Sequence, residues 1–295
     1  MYTTALAPID MDAVFPQLAA FKRITTRLHP RKGSPSVDHG SVGGPLLWPT
    51  DEPWPTCDDA GLDEHPADTP MPLVPVLQLF AEDIPDLPFP EGSDVLQVLW
   101  CPFDHYPSSA PVPRLRWRRR STIGPRLAAM PNPHPDADTR YVPDPCAIDP
   151  EQVVEYPSYD LPEEVWSQIR NTLVRVEADT GWQYDTDLAV ASGIKTGGYP
   201  GWTQSPDWPI CDCGIQMEHL LTIASWEFSR GDEHRWPPLE NRHAMTGWNF
   251  DSPNDHPWRA LQNPTGLMLG DAGGIYVFVC TSCPNRPYDH RFDCS

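Results

Sequence analysis

The chain has 295 residues, of which 39% are hydrophobic and 21% are charged, a composition typical of a globular protein of one large or two ordinary domains. Aspartate and glutamate number 41 against 21 lysines and arginines, which gives a formal net charge of −20 at pH 7. Such a charge repels phosphate backbones and anionic lipids, so we expect neither a nucleic-acid partner nor a membrane partner, although solubility alone would also account for it.

The sequence predicts a cytoplasmic protein. No stretch approaches the roughly 20 apolar residues that a membrane-spanning helix needs. The first residues show neither the basic start nor the apolar core of a signal peptide. We therefore expect its eight cysteines to be reduced.

Near the N-terminus, Asp12 is placed to cap a helix. In the segment that follows, Ile24, Thr26 and Leu28 alternate with basic and hydroxylated residues, which is the period of a half-buried strand. Residues 30–75 are rich in proline, glycine and aspartate and predict mostly loop. Because proline interrupts helices and central strands, the 38 prolines predict long loops around a modest regular core.

Short apolar runs predict most of the strands, and one longer segment predicts a helix. The predicted strands cover residues 74–80, 95–101, 113–120, 219–228 and 274–280. Between the third and the fourth lies a connector rich in proline and aspartate, 124–157, which we interpret as a linker. After it, Asp160 is placed to cap a helix whose apolar stripe includes Ile169 and Val176 and which ends before Gly181.

An internal repeat relates the two ends of the chain. Residues 43–57 and 197–211 align without a gap, and the strands predicted after each segment follow in the same order. The identities are Gly43/Gly197, Gly44/Gly198, Trp48/Trp202, Trp54/Trp208, Pro55/Pro209 and Cys57/Cys211. Two related halves, roughly 22–122 and 190–290, account for these identities; convergent loops rich in tryptophan and proline are the alternative.

The repeat predicts an α+β, sheet-dominated fold: internally duplicated β-rich units with a few peripheral helices and long loops. We divide the chain into an N-terminal helix with the first unit, 1–125, a connector with its helix, 126–189, and a second unit, 190–295. All three belong to one compact pseudo-symmetric domain. Related halves require the same strand order around both Trp-rich segments.

The second unit carries two cysteine pairs, Cys211/Cys213 and Cys280/Cys283. Paired reduced cysteines at tight turns indicate metal binding, and four thiolates complete a tetrahedral structural zinc site. We therefore predict zinc as the cofactor, bound by these four residues. Free buried thiols, or a disulfide that involves Cys294, are the alternatives.

At the equivalent places the first unit has single cysteines, Cys57 and Cys101, which we expect to be packing residues. They can approach each other, but two ligands alone make a poor zinc site. The sequence contains neither HExxH nor GxSxG, and no catalytic residue is predicted. A nucleophilic site of one cysteine and one histidine in the Trp-rich cleft between the halves is the alternative.

Two further groups of residues allow two interpretations each. The first is a basic island formed by Arg114, Arg116, Arg118, Arg119 and Arg120. We expect these arginines to pair with the protein's own carboxylates; a nucleic-acid patch is the alternative. In the second group, Trp236, Trp248 and Trp258 lie in a long polar excursion. They either anchor a protein partner or pin the loops onto the sheet.

One ordered set of residues resembles the YwqG-like family of bacterial proteins. The set is Lys195, Gly197, Gly198, Pro200, Trp202, Cys211, Cys213, Gly214, Met217, Leu220, Leu221, Gly270, Asp271, Tyr276, Phe278, Cys280 and Cys283. The same order is similar to the N-terminal region of eukaryotic programmed-cell-death-2 proteins and their yeast ribosome-assembly relative, which generally show CxxC where this chain has CxC. The resemblance implies a sheet-dominated fold with an internal duplication and no established catalytic residues.

The resemblance also implies a class of function. For the eukaryotic relatives it implies a dedicated chaperone that shields a basic ribosomal protein, and bacterial members have been proposed to bind proteins, some near toxin systems. We therefore expect a non-enzymatic, protein-binding or chaperone-like module, or an immunity factor, with a basic protein client. The alternative is a hydrolase that depends on a cysteine and a histidine.

Overall fold

Antiparallel strands dominate the computed structural model, which describes residues 1–57, 70–229, 231–245 and 257–294. The strands are β1 (Arg23–Arg27), β2 (Arg31–Lys32), β3 (Ser41–Val42), β4 (Thr56–Cys57), β5 (Met71–Pro72), β6 (Val74–Phe80), β7 (Val95–Trp100), β8 (Arg114–Arg118), β9 (Cys146–Ala147), β10 (Glu151–Glu155), β11 (Lys195–Gly197), β12 (Glu218–Ala224), β13 (Gly274–Val279) and β14 (Tyr288–Asp293). The helices are α1 (Met11–Val14), α2 (Glu163–Thr180) and α3 (Pro257–Gln262). The predicted α+β, sheet-dominated class is confirmed.

Twelve of the fourteen strands in the described residues form two six-stranded sheets, and β4 pairs with β5 in a separate two-stranded sheet. Sheet 1 has the order β2-β9-β3-β6-β7-β8, and sheet 2 has the order β10-β1-β11-β12-β13-β14. Every neighbouring pair in both sheets is antiparallel. In each of the two large sheets the last four strands follow one another in chain order within one half of the chain, and the first of them carries the Gly-Gly motif or directly precedes it. The strand order therefore supports an internal duplication.

Each sheet also contains an inserted strand from outside its own half of the chain. β1, from the first half, lies between β10 and β11 of sheet 2, where Thr26 is opposite both Gln152 and Thr196. β9, which precedes the second half, lies between β2 and β3 of sheet 1, where Val42 is opposite Cys146. The connector predicted as a linker thus supplies strands to both sheets.

The main core lies between the two sheets. One apolar cluster takes Leu77 and Val98 from sheet 1 and Leu221 and Val277 from sheet 2, all of them fully buried. The apolar runs that predicted β6, β7, β12 and β13 are the strands that supply these residues. No helix in the described part of the chain combines the length and the apolar character needed to cross a bilayer.

The N-terminal segment differs from the prediction in two ways. Asp10, not Asp12, caps α1 through hydrogen bonds to two backbone amides. The expected single helix is divided into α1 and a 3-10 turn, because Pro16 has no N–H to continue the helix. The alternation predicted for β1 is also wrong: Ile24 is 56% exposed, and Arg27 is fully buried. Tertiary contacts decide the burial of this strand.

Arg27 is buried because backbone carbonyls and a tryptophan surround its guanidinium. It donates to the carbonyls of Ser192 and Trp236 at 3.1 Å and 3.0 Å, and its carbon lies 5.2 Å from the centre of the Trp236 ring. Trp236 and Trp258 are both 0% exposed. Both tryptophans therefore pack inside the fold and hold their polar segment against it, and neither is an exposed anchor for a protein partner. Trp248 lies outside the described residues.

The helix predicted after the connector is confirmed as α2, but its expected cap has another role. Pro162 precedes the helix with no side-chain cap. The carboxylate of Asp160 instead accepts hydrogen bonds from the indoles of Trp202 and Trp208, at 3.2 Å and 2.7 Å. As predicted, the helix ends at Gly181, which adopts the left-handed conformation.

All four glycines of the repeated Gly-Gly motif have positive φ. Gly43, Gly44, Gly197 and Gly198 all have φ between 67° and 82°, a region that favours glycine. The tryptophans that follow also contact each other in each half. The ring centres lie 4.9 Å apart for Trp48 and Trp54 and 6.3 Å apart for Trp202 and Trp208.

In sheet 2 the glycine motif encloses a buried ion pair. Lys195 donates to Glu155 at 2.7 Å, and both side chains are at most 1% exposed. The same carboxylate accepts the backbone N–H groups of Ala191 and Tyr199. Because the carboxylate lies directly over Gly198, a Cβ atom there would overlap it. A buried charge tolerates little displacement from its partners.

We predict that Gly198→Ala destabilises the protein more than a matched glycine replacement. Both its positive φ and the overlap with Glu155 act against alanine, so we expect a loss of about 2–4 kcal/mol in the free energy of unfolding. Gly181→Ala is the control, since Gly181 has φ 77° but open space around a Cβ, and we expect a loss of about 1 kcal/mol. Urea unfolding of both variants measures the difference, and equal losses would contradict the role of Glu155.

Candidate metal centre

The four cysteines of the second unit come from two turns at one end of sheet 2. Cys280 directly follows β13, and Cys283 lies in the turn towards β14. Cys211 and Cys213 lie in a tight turn in which the N–H of Cys211 donates to the carbonyl of Ile215 at 2.9 Å, and Gly214 has φ 85°. These two turns bring together residues that are about 70 positions apart in sequence.

The sulfur atoms are spaced as a tetrahedral thiolate site requires. The Sγ atoms of Cys213 and Cys280 are 3.6 Å apart, and those of Cys211 and Cys283 are 3.9 Å apart. All four ligand atoms lie within 4.8 Å of one another. Four sulfurs at about 2.3 Å from one zinc ion are about 3.8 Å apart, so the arrangement fits this ion with little movement.

Hydrogen bonds among the four cysteines favour the ionised form of one thiol, that of Cys280. Burial opposes the charge on Cys280, but hydrogen bonds from the Cys283 backbone and from the thiols of Cys213 and Cys211 lower its pKa to about 7. Hydrogen bonds with Cys213 and Cys280 raise the pKa of Cys283 to about 12. A bound cation would stabilise all four thiolates and release their protons.

Aromatic residues of the repeat cover this group of sulfurs. Trp202 stacks on Phe278 with 6.0 Å between ring centres, and Trp208 meets Phe278 edge-on at 5.3 Å. Cys211, Cys280 and these rings belong to one apolar cluster. No disulfide is formed in the described part of the chain, and the predicted alternative of a disulfide that involves Cys294 is wrong.

A second group of potential ligands lies in the first unit. Cys57, Cys101 and His105 place their ligand atoms within 4.8 Å of one another, and Cys101 and His105 are buried. The cysteine pattern of the sequence relates Cys57 to Cys101 but does not include His105. The signal was present, because Cys101-x-x-x-His105 follows β7 as Cys280-x-x-Cys283 follows β13.

Two of the five arginines of the basic island, Arg118 and Arg120, pair with the protein's own carboxylates. Arg118 makes a bidentate pair with Glu52 at 2.6 Å and 2.8 Å. Arg120 pairs with Asp38 at 3.2 Å and with Glu82 at 3.0 Å. These pairs support the expectation that arginines of the island pair within the protein. The chain as a whole keeps its formal net charge of −20.

A cavity of about 390 Å³ lies against sheet 2. It is lined by residues that include Lys195, Trp202 and Asp232, and its described lining contains no cysteine and no histidine. The cysteine–histidine nucleophile of the alternative prediction therefore does not lie in this cavity, although the first unit does bring Cys57 and Cys101 close to His105. The buried thiol of Cys146 is also poorly suited to attack, since burial raises its pKa to about 12.

Two buried acids, Glu227 and Asp232, have strongly raised pKa values, and Asp232 also lines this cavity. Burial raises the pKa of Glu227 to about 7 and that of Asp232 to about 7, and the nearby charge of Arg27 only partly opposes the shift. Unfolded, each carboxyl has a pKa of about 4. The folded protein therefore binds more protons between about pH 4 and pH 7, and the contribution of these groups to stability falls as the pH rises through that range.

We predict that Glu227→Gln removes part of this pH dependence. Glutamine resembles the protonated acid, so we expect the variant to gain stability relative to the parent above pH 7 and to gain little or none near pH 5. Urea unfolding at both pH values measures the gain. Asp179→Asn, at an exposed position of α2, is the control and should show no such change. A gain independent of pH would show that Glu227 keeps an ordinary pKa.

No protein-family model matches this chain, and no curated protein matches it significantly.

Proposed function

We propose that the chain is a cytoplasmic, protein-binding module of the YwqG-like type, held together by a structural zinc ion and built to bind a basic protein. The observation that carries this proposal is an exposed apolar pair beside the four-cysteine group. Ile210 is 70% exposed and Ile215 is 50% exposed, although they flank a tightly hydrogen-bonded turn. Exposed isoleucines on an ordered turn are costly in water and gain from contact with a partner.

A structural role for the ion follows from the ligand set. Four thiolates fill the four positions of a tetrahedral zinc ion and leave none for a substrate. The ion would join the turn of Cys211 and Cys213 to the end of β13. It would thereby fix the two isoleucines, since they form the ends of the same turn, where Ile210 pairs with Gln216. The zinc would thus shape the contact surface without taking part in chemistry.

We expect the full chain to carry one zinc ion on these four cysteines, and Cys283→Ser to lose it. The variant should also unfold several degrees lower, because each kcal/mol lost shifts the melting temperature of a domain this large by about 2–4 °C. Elemental analysis and thermal unfolding measure both effects. Cys294→Ser, which removes a thiol outside this group, is the control. Equal zinc content and melting temperature in the two variants would exclude the four-cysteine centre.

The charge around the exposed pair favours a basic partner. Asp212 lies exposed between the two isoleucines, and Asp207 and Glu218 are exposed nearby in sequence. The net charge of −20 adds a long-range field that steers cationic proteins towards the surface. Apolar contact at the turn would then hold the partner at short range. Resemblance to chaperones of a basic ribosomal protein supports a client of this kind, and a basic toxin bound by an immunity factor would have the same chemistry.

The test is capture from native lysate on the immobilised full chain, at low and at high salt. We expect a basic protein to be captured, and to be lost both at high salt and with the double variant Ile210→Ser/Ile215→Ser. Screening shortens the Debye length to about 8 Å at physiological salt, so the rate of association should fall with added salt. Val174→Ser is the matched control, because it replaces a 66% exposed apolar residue on α2.

Two outcomes would overturn the proposal. One is capture of the same proteins by the double variant and the control, which would show that the turn is not the contact surface. The other is capture of no specific protein together with turnover of ester or peptide substrates that is abolished by replacing one cysteine or histidine. That second result would favour the hydrolase.

A further inference from the structure

The four-cysteine group has a counterpart at the same place in sheet 1. Cys101 directly follows β7, and Cys280 directly follows β13, the strand that holds the same position in the order of its sheet. Cys57 and Cys211 end the two copies of the repeated motif. The duplication therefore places one thiol from the motif beside one thiol from the strand end in both halves.

The packing around the two groups is duplicated as well. Cys101 belongs to an apolar cluster with Trp48, and Trp54 and Cys57 pack against that cluster. The corresponding cluster in sheet 2 contains Cys211, Cys280 and Trp202, with Trp208 and Cys283 packed against it. Both groups thus lie beside a tryptophan pair that limits access of water to one side.

The third member differs between the halves. In sheet 2 the turn supplies Cys283, three residues after Cys280, whereas in sheet 1 it supplies His105, four residues after Cys101. Backbone hydrogen bonds hold His105 in place. Its backbone N–H donates to the carbonyl of Ala110 at 3.2 Å, and its backbone carbonyl accepts from the N–H of Ser109 at 2.9 Å. The imidazole is thereby held at 3% exposure within reach of both sulfurs.

We propose that the first half binds a second zinc ion through the thiolates of Cys57 and Cys101 and an imidazole nitrogen of His105. Two thiolates and one imidazole form a ligand set that zinc accepts, with a water molecule or another donor in the fourth position. This site thus differs from the four-thiolate site, which is complete without water. It would join the β4–β5 hairpin to the end of β7, the same connection that the first ion makes in sheet 2.

The test measures zinc in the purified full chain and in single variants. We expect two zinc ions per chain in the parent protein, one in Cys57→Ser, one in Cys283→Ser and none in a variant that carries both changes. Cys294→Ser, which lies outside both groups, should keep two. The Cys283→Ser variant is used for cobalt substitution because it lacks the four-thiolate site, whose spectrum would overlap. Its cobalt spectrum should show sulfur and nitrogen ligation, and adding His105→Gln should abolish that spectrum.

Thiol alkylation of the native chain, mapped by mass spectrometry, separates metal binding from a reactive nucleophile. Metal-bound Cys57 and Cys101 should react only after chelation. If the parent carries one zinc ion that is lost in Cys283→Ser and kept in Cys57→Ser, the site at Cys57, Cys101 and His105 is overturned and the four-cysteine site stands. If that one ion is lost in Cys57→Ser and kept in Cys283→Ser, the four-cysteine site is overturned and the other stands. Rapid alkylation of Cys101 without chelator, in a chain with at most one zinc ion, would also exclude the second site.

Discussion

The structure depends on an exchange of strands: β1 of the first half lies in sheet 2, and β9 of the connector lies in sheet 1. β1 supplies the backbone partners for both β10 and β11, and β9 does the same for β2 and β3. Without β1, sheet 2 would lose the strand that joins its first member to the other four, and the N–H and C=O groups of two strands would be left without partners. Neither sheet is therefore built from one half of the chain alone.

On this shared frame the two halves have corresponding strand orders and glycine conformations but different side-chain chemistry. The glycine pair, the contacting tryptophans and two cysteines, Cys57/Cys211 and Cys101/Cys280, recur in both. Sheet 2 adds Cys213 and Cys283 to its group, while sheet 1 adds His105. Only sheet 2 combines the motif with the buried pair of Lys195 and Glu155. The duplication thus provides one scaffold with two different ligand sets.

The sequence predicted what depends on local pattern and missed what depends on distant contacts. Apolar runs located β6, β7, β12 and β13, because these strands are buried on both faces and therefore do not alternate apolar with polar residues. Cysteine spacing located the four thiols that the fold brings together. The burial of Arg27 depends on Trp236, more than 200 residues away, and the role of Asp160 depends on Trp202 and Trp208. His105 was not predicted as a ligand, because a histidine four residues after a cysteine is not by itself a metal-binding signal. It becomes one only when the end of β7 is compared with the end of β13.

The exchange of strands also has a consequence for synthesis on the ribosome. Thr25 of β1 donates its hydroxyl to the carbonyl of Thr196, 171 residues further along the chain. The first half therefore leaves the ribosome with β1 unpaired and with the place of β9 in sheet 1 empty until the connector has been translated. Such non-local pairing raises the contact order and slows folding, and it leaves strand edges exposed to other nascent chains. The first half is therefore open to non-native strand pairing until the connector and the second half have been synthesised.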